Sequence, residues 1–240
     1  MEAIKALVLN SIDYKEASKI LYLYTEKGHL SVIAHGVKKM NSINRFLSQN
    51  GTYIKLTTTQ SKFPSLKEGE MINDYENIKK DILTYTYQNH IMESVKYTIS
   101  DDLNHVKMFQ FMLKVFNQMN ENVDPELLSF IFELKLLYFI GYGLNFKSCS
   151  VCDKKEHLVF SPSHGGLICK EHLQFKDVSY NKDIHDILKY LYYIDIDKTT
   201  PFDLTPSERM SVRVILDILF SDFMNFKSKS REILKQIKKY

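Results

Sequence analysis

The chain has 240 residues, of which 44% are hydrophobic, and a formal net charge of +3 at pH 7. One large globular domain or two smaller ones fit this length and composition. No apolar run approaches the roughly 18 residues of a membrane span, and Met1–Leu9 is too short and too mixed for a secretory signal. We therefore expect a cytoplasmic protein that has no contact with a membrane.

The first third of the chain predicts five β-strands. These segments are apolar throughout or alternate between apolar and polar residues, which is the period of a strand with one buried face. They cover residues 3–10, 18–24, 29–34, 52–58 and 67–72. Five short strands in so short a stretch are typical of the oligonucleotide-binding barrel, the OB-fold, with an open five-stranded sheet as the alternative.

A basic loop links the third and fourth predicted strands. Residues 34–45 carry Lys38, Lys39 and Arg45 among small polar residues, and cations on a barrel rim can contact nucleic-acid phosphates. Residues 1–80 as a whole carry 12 Lys and Arg against 8 Asp and Glu. This balance favours a polyanionic ligand or is merely a solvated mixture of charges.

Two tyrosines of the second strand are candidates for stacking on bases. Tyr22 and Tyr24 lie on one face of that strand, and exposed aromatic rings on such barrels stack with the bases of single-stranded nucleic acids. The alternative is that both rings belong to the hydrophobic packing, which favours aromatic residues in strands.

From Asp74 onward the pattern is helical. Apolar residues at helical spacing predict helices over residues 75–100, 106–119, 126–140 and 184–193. Residues 205–208 (TPSE) form a capping box, and we expect the helix that starts there to continue towards Lys238. The predicted α+β fold is therefore an OB-fold domain over residues 1–75, followed by a helical domain over residues 76–240.

The three cysteines of the chain form a motif with one histidine. Cys149-x-x-Cys152 is followed by Cys169-x-x-His172, and two close pairs joined by a loop have the spacing of a tetrahedral zinc site. Four protein ligands leave no open position for water, which a catalytic zinc requires. We expect one structural Zn²⁺ in the segment 149–172, inserted in the helical domain.

Other interpretations of this motif are open. His157 or His164, which lie between the two pairs, could replace His172 as the fourth ligand. Without a metal, the cysteines would be buried free thiols that behave as small hydrophobic residues. A zinc hydrolase is the weakest alternative, because it would need an open coordination position.

A second basic cluster lies near the C-terminus. It consists of Lys227, Lys229 and Arg231, which we expect at a helix end where cations interact favourably with the helix dipole. The cluster is either a second contact for DNA or a solvated helix surface.

The order of these motifs resembles the RecO family of bacterial recombination mediators. The segments that carry the resemblance are residues 6–9, 13–21, 25–28, 34–39, 141–144, 149–152, 160–162, 165–169 and 228–234. Two features depart from the family's pattern. The fourth zinc ligand, usually cysteine, is His172, and Asn41 and Asn44 make the basic loop less rich in arginine.

The resemblance implies a protein that binds single- and double-stranded DNA and anneals complementary strands. It also implies a partnership with RecR, contact with the acidic C-terminal tail of single-strand-binding protein, and help for RecA in replacing that protein on DNA. The place of action would be the nucleoid.

The chain shows no nucleophile elbow, phosphate-binding loop, metalloprotease helix or dinucleotide fingerprint, so we expect no enzyme. An RNA-binding module is an alternative on the same physical grounds, and competition between matched DNA and RNA strands separates the two. A protein-interaction scaffold is a further alternative. For a scaffold, charge reversal at Lys38, Lys39 and Arg45 would leave nucleic-acid binding unchanged.

Overall fold

The computed structural model describes residues 3–98, 100, 103–175, 177–198 and 203–238. By internal contacts the chain divides into two compact units. The first combines residues 1–125 with residues 228–240, and the second is formed by residues 126–227. The domain boundary that we predict between residues 75 and 76 stays a prediction.

The N-terminal strands form a five-stranded antiparallel sheet that closes on itself. The strands are β1 (Ile4–Tyr14), β2 (Ser18–Thr25), β3 (Gly28–Ala34), β4 (Tyr53–Thr58) and β5 (Leu66–Asn73). Their order is β3-β2-β1-β4-β5, and a parallel bridge joins Ile33 of β3 to Ser65, directly before β5. The Ile33 N–H donates to the Pro64 carbonyl at 2.9 Å. The predicted α+β fold with an OB-fold barrel is thereby confirmed, and the alternative of an open five-stranded sheet is not.

A bulge in β1 allows one strand to serve both halves of the barrel. Its register shifts between Val8 and Asn10, and the strand continues to Tyr14, four residues beyond the predicted end. Residues 4–7 pair with β4, whereas residues 6–14 pair with β2. Since a bulge bends its strand and increases the local twist, it produces the curvature that closure of a small barrel needs.

The interior of the barrel follows the predicted alternation. Its buried residues are Ala6, Val8, Leu21, Leu23, Val32, Ala34, Val37, Leu47, Ile54 and Leu56. Leu47 comes from a short 3₁₀ helix (Ile43–Ser48) and packs against β5 so closely that a Cβ atom at Gly69 would clash with it. The loop between β3 and β4 therefore covers one opening of the barrel.

Three helices follow the barrel within the first unit: α1 (Glu76–Lys80), α2 (Ile82–Thr98) and α3 (His105–Asn120). The single helix predicted over residues 75–100 is wrong, because the backbone is extended at Asp81. The Asp81 carboxylate accepts hydrogen bonds from the N–H and the hydroxyl of Thr84, at 2.8 and 2.6 Å. This side chain satisfies free N–H groups at the start of α2, so the break is a helix cap.

The second unit contains α4 (Pro125–Phe139, from Glu126), α5 (Lys182–Tyr193) and α6 (Pro206–Met224). It also contains a hairpin of β6 (Leu158–Ser161) and β7 (Gly166–Cys169). Among the described residues, no helix has both the length and the hydropathy that a membrane crossing requires.

A buried ion pair joins α4 to α6. Glu133 is 0% exposed, and Arg213 donates from Nη1 and Nη2 to its two carboxylate oxygens, each at 2.7 Å. Ser129 donates to the same carboxylate at 2.9 Å, and Arg213 Nε donates to Asp217 at 3.0 Å. Such a bidentate pair fixes the facing positions of the two helices.

The capping box at Thr205 is present as predicted, but the helix that it starts does not reach Lys238. Asn225 adopts the left-handed conformation with φ of 47°, which ends α6 at Met224. A separate helix, α7 (Lys229–Ile237), begins after Ser228, whose hydroxyl accepts from the Arg231 N–H at 3.1 Å. The prediction of one continuous C-terminal helix is therefore wrong.

Helix α7 returns to the first unit and packs against α2. Glu93 of α2 accepts hydrogen bonds from the hydroxyls of Ser228 and Ser230, at 2.6 and 2.9 Å. The Ser228 hydroxyl also lies 2.8 Å from Nδ1 of His90. We call this group of four side chains the α2–α7 clasp.

Candidate metal centre and nucleic-acid interface

Two tight turns place the four predicted metal ligands together. In the first turn, the Asp153 N–H donates to the Cys149 carbonyl at 3.2 Å. In the second turn, directly after β7, the His172 N–H donates to the Cys169 carbonyl at 3.1 Å. The β6–β7 hairpin brings the second turn back to the first, and Gly165 supplies the positive φ of 60° at its tip.

The distances among the four ligand atoms fit a zinc ion. All four lie within 4.8 Å of one another. The Cys152 and Cys169 sulfurs are 3.8 Å apart, and His172 Nδ1 lies 3.2 Å from the Cys169 sulfur. Zinc–sulfur bonds of about 2.3 Å in a tetrahedron place two sulfurs about 3.8 Å apart. The Cys149, Cys152, Cys169 and His172 set could therefore hold the predicted Zn²⁺.

The structure brings neither alternative histidine to this cluster. His164 Nδ1 lies 3.0 Å from the Ser161 hydroxyl and 3.9 Å from the Asp177 carboxylate. His157 is exposed, with a φ of 53°. His172 occupies the fourth position, as predicted, and completes a set of four protein ligands typical of structural sites.

Backbone groups of both turns also favour the metal-binding form of Cys149. Burial by itself raises the pKa of this thiol. Hydrogen bonds from the backbone N–H groups of Cys169, Val151 and Cys152 outweigh burial and lower the pKa to about 6. A thiolate is the form that binds metal.

The predicted basic loop lies at one end of the barrel, where three loops meet. The Lys38 N–H donates to the Ala17 carbonyl in the β1–β2 loop at 3.1 Å. The His35 ring lies 3.4 Å from the hydroxyls of both Ser18 and Ser65. The β1–β2 and β4–β5 loops are the ones that OB-folds use for oligonucleotides, so the basic loop borders the expected binding surface.

The three cations of this loop differ in their surroundings. Lys38 forms an ion pair with Asp13 at 2.6 Å, and this hydrogen bond lowers the pKa of the Asp13 carboxyl. Lys39 and Arg45 are exposed. Contact of these residues with DNA stays a prediction, and a phosphate would have to compete with Asp13 for Lys38.

The prediction that Tyr24 stacks on bases is wrong. Its side chain is 0% exposed, its hydroxyl lies 3.2 Å from Nδ1 of His105, and its ring meets the Phe109 ring edge-on at 6.0 Å. The ring does face outward from the barrel, but α3 covers that face. Tyr22 is half-buried, with the Lys96 ammonium 4.9 Å from its ring centroid, and its contact with DNA stays a prediction.

An exposed aromatic residue that the sequence analysis missed lies in the β4–β5 loop. Phe63 is 71% exposed, and the Lys62 ammonium lies 5.9 Å from its ring centroid. The loop is ordered by hydrogen bonds from the Ser65 N–H to the Thr59 hydroxyl and from the Ser61 hydroxyl to the Phe63 carbonyl, at 2.9 and 2.8 Å. The sequence did contain a signal for it, because a phenylalanine that follows Gln, Ser and Lys in a loop has no apolar neighbours before it and is expected to be exposed.

We expected the C-terminal basic cluster at the C-terminal end of a helix, but it lies at the N-terminal end of α7. Lys227 precedes α7, whereas Lys229 and Arg231 belong to its first turn. Cations at a helix N-terminus oppose the helix dipole, so the dipole does not account for them. Lys227 and Lys229 are exposed, and their contact with DNA stays a prediction, as does that of Arg231.

Comparison with known proteins covers nearly the whole chain. The family model described as "Recombination protein O N terminal" matches residues 1–75, and "Recombination protein O C terminal" matches residues 79–231. A protein named DNA repair protein RecO from Bacillus cytotoxicus is 28% identical over 244 residues, which cover 100% of this chain and 98% of that protein. Proteins of the same name from Bacillus cereus and Bacillus anthracis are 27% identical, with the same coverage. The chain therefore belongs to the RecO family of DNA repair and recombination proteins.

Proposed function

We propose that this chain is a recombination mediator that binds single- and double-stranded DNA and anneals complementary strands. With RecR, it would help to load RecA onto DNA coated by single-strand-binding protein, whose acidic C-terminal tail it would contact. The chain would have no catalytic role and would act in the cytoplasm, at the nucleoid. The observation that carries the proposal is the loop end of the barrel, where Phe63, Lys39 and Arg45 are exposed.

This surface combines the two interactions that bind single strands without reading their sequence. An exposed ring can stack on any base, and lysine or arginine side chains neutralise phosphates. Annealing needs two strands of like charge to approach each other, and a cationic surface lowers their repulsion. Zn²⁺, when bound, would supply a structural cross-link between the two turns of the segment 149–172.

The function is tested by the annealing of two complementary oligonucleotides coated with single-strand-binding protein. We expect the chain to accelerate annealing, because it would bind both strands and the coat protein. Adding RecR and RecA then tests loading on the coated strand. If neither coated nor naked strands anneal faster, the mediator function is wrong, and competition with matched RNA strands tests the RNA-binding alternative.

Phe63→Ala should weaken the binding of single-stranded DNA by about tenfold, since base–aromatic stacking contributes about 1–3 kcal/mol per base. Duplex binding should change little, because paired bases are not free to stack on the ring. Fluorescence anisotropy with a labelled oligonucleotide measures both affinities.

Phe175→Ala is the matched control, because Phe175 is also an exposed phenylalanine but lies in the second unit. We expect its affinity for single strands to equal that of the unmodified chain. Equal loss in the two variants would mean that the effect is not specific to the barrel loop.

A further inference from the structure

A second cationic site lies on the barrel, next to the basic loop. It is a cleft of about 430 Å³ lined by Lys19 of β2 and Lys79 of α1. Neutral polar side chains complete most of the wall: Ser11, Ser48, Gln49 and Asn50, with Tyr85 alongside. We call it the lysine cleft. No carboxylate is among its described lining residues.

Within the described part of the chain, both ammonium groups donate hydrogen bonds to neutral acceptors, and the Asp13 carboxylate, which lies opposite Lys19 across β1 and β2, interacts with Lys19 electrostatically. Lys79 Nζ donates to the Gln49 side-chain oxygen at 3.2 Å and to the Thr52 hydroxyl at 3.1 Å. Lys19 Nζ donates to the Ser11 hydroxyl at 3.4 Å. Burial lowers the pKa of Lys79, and Asp74, which does not line the cleft, offsets this only in part. An anion bound in the cleft would therefore stabilise the half-buried ammonium of Lys79, whose hydrogen-bond acceptors are neutral.

The chemistry of the wall favours a phosphate group over an acidic peptide. Hydroxyls, amides and ammonium groups can all donate to phosphate oxygens, whereas a peptide with apolar side chains would need an apolar pocket. The cleft also adjoins the basic loop, because Ser48 ends the 3₁₀ helix that carries Arg45 and Lys19 pairs with Ala34 across β2 and β3. A strand that contacts Arg45 can therefore continue towards the cleft.

We propose that the lysine cleft binds a backbone phosphate of the DNA strand that the barrel holds, with Lys19 and Lys79 as its ligands. This inference rests on the proposed function, since it extends the path of the same strand beyond the loop end of the barrel.

The test is the salt dependence of oligo-dT binding by Lys79→Gln, measured by fluorescence anisotropy. Glutamine retains hydrogen-bonding capacity towards Gln49 and Thr52 but removes the charge. We expect an affinity about tenfold lower at low salt, because a hydrogen bond to a charged group contributes at least this factor. The slope of log K against log salt should fall in magnitude by about 0.7, the value for one phosphate on a single strand.

Lys80→Gln is the matched control, since Lys80 is the next residue of α1, carries the same charge and forms an exposed ion pair with Glu76. It should bind as the unmodified chain does. Lys79→Arg should also bind normally, because it retains the cation, and this separates charge from a structural role.

The outcomes distinguish this site from the function as a whole. If the unmodified chain binds DNA and Lys79→Gln matches Lys80→Gln, the cleft is not a DNA contact and the proposed function stands. If the unmodified chain fails to bind DNA, the proposed function itself is wrong. A third outcome is that Lys79→Gln and Lys80→Gln bind DNA equally well, while inorganic phosphate raises the melting temperature of Lys80→Gln but not that of Lys79→Gln. In that case the cleft binds free phosphate and the proposal is overturned.

Discussion

We expect Cys149→Ser to abolish the predicted zinc binding by the segment 149–172 and to unfold that segment. Cys149 is buried, and its sulfur lies 3.9 Å from Nδ1 of His172. Serine cannot replace it as a zinc ligand, because a hydroxyl does not supply the thiolate that binds the metal. The apparent free energy of zinc binding in small zinc domains is about 10–16 kcal/mol at pH 7. We expect the melting temperature of the second unit to fall by more than about 10 °C. A chelator should lower the melting temperature of the unmodified chain by a similar amount.

The measurements are zinc content by a metal-sensitive dye and thermal unfolding by circular dichroism. His157→Asn is the matched control, because His157 is an exposed histidine of the same segment and asparagine tolerates its positive φ. One zinc per chain should remain in this variant. A Cys149→Ser protein that retains its zinc and its melting temperature would contradict the assignment of the four ligands.

Glu133→Ala will destabilise the second unit by about 3–5 kcal/mol, because it leaves the Arg213 guanidinium buried without its main partner. Arg213 is 11% exposed and Glu133 is 1% exposed at the side chain, so water cannot replace the lost carboxylate. Urea unfolding followed by circular dichroism measures the change in the free energy of unfolding.

Glu76→Ala provides the comparison, since it breaks an ion pair whose partners are 63% and 68% exposed. Exposed pairs contribute at most about 1 kcal/mol. Glu133→Met combined with Arg213→Met should recover most of the loss, because apolar residues of similar size leave no buried charge. Equal effects of Glu133→Ala and Glu76→Ala would show that burial does not determine the strength of this pair.

The parts of the fold that depend on local sequence were predictable. The four candidate metal ligands come from two short turns, so the spacing of Cys149, Cys152, Cys169 and His172 was enough to predict that they lie together. The strands of the barrel have the period of two, and their number and shortness were enough to predict the OB-fold. The capping box at Thr205 likewise marked the start of α6 at the correct residue.

The errors concern a tertiary contact and two helix caps, neither of which the apolar pattern contains. Tyr24 has the sequence context of an exposed strand residue, but α3, about 80 positions later, covers it. The end of α6 depends on Asn225 in a left-handed conformation, with neither glycine nor proline to mark it. The sequence analysis made no prediction for Glu133, because only the position of Arg213 on α6 shows how its buried charge is balanced.

The α2–α7 clasp has a consequence for synthesis on the ribosome. Helix α2 emerges long before α7, because the 102 residues from Glu126 to Lys227 are translated between the two parts of the first unit. At roughly 5–20 residues per second, this interval lasts about 5–20 s. During this time the barrel can fold, but Glu93 has no partners from α7 and the surface of α2 that α7 will cover stays open to water. The nascent chain is therefore exposed to premature association at α2 until its last helix has been made.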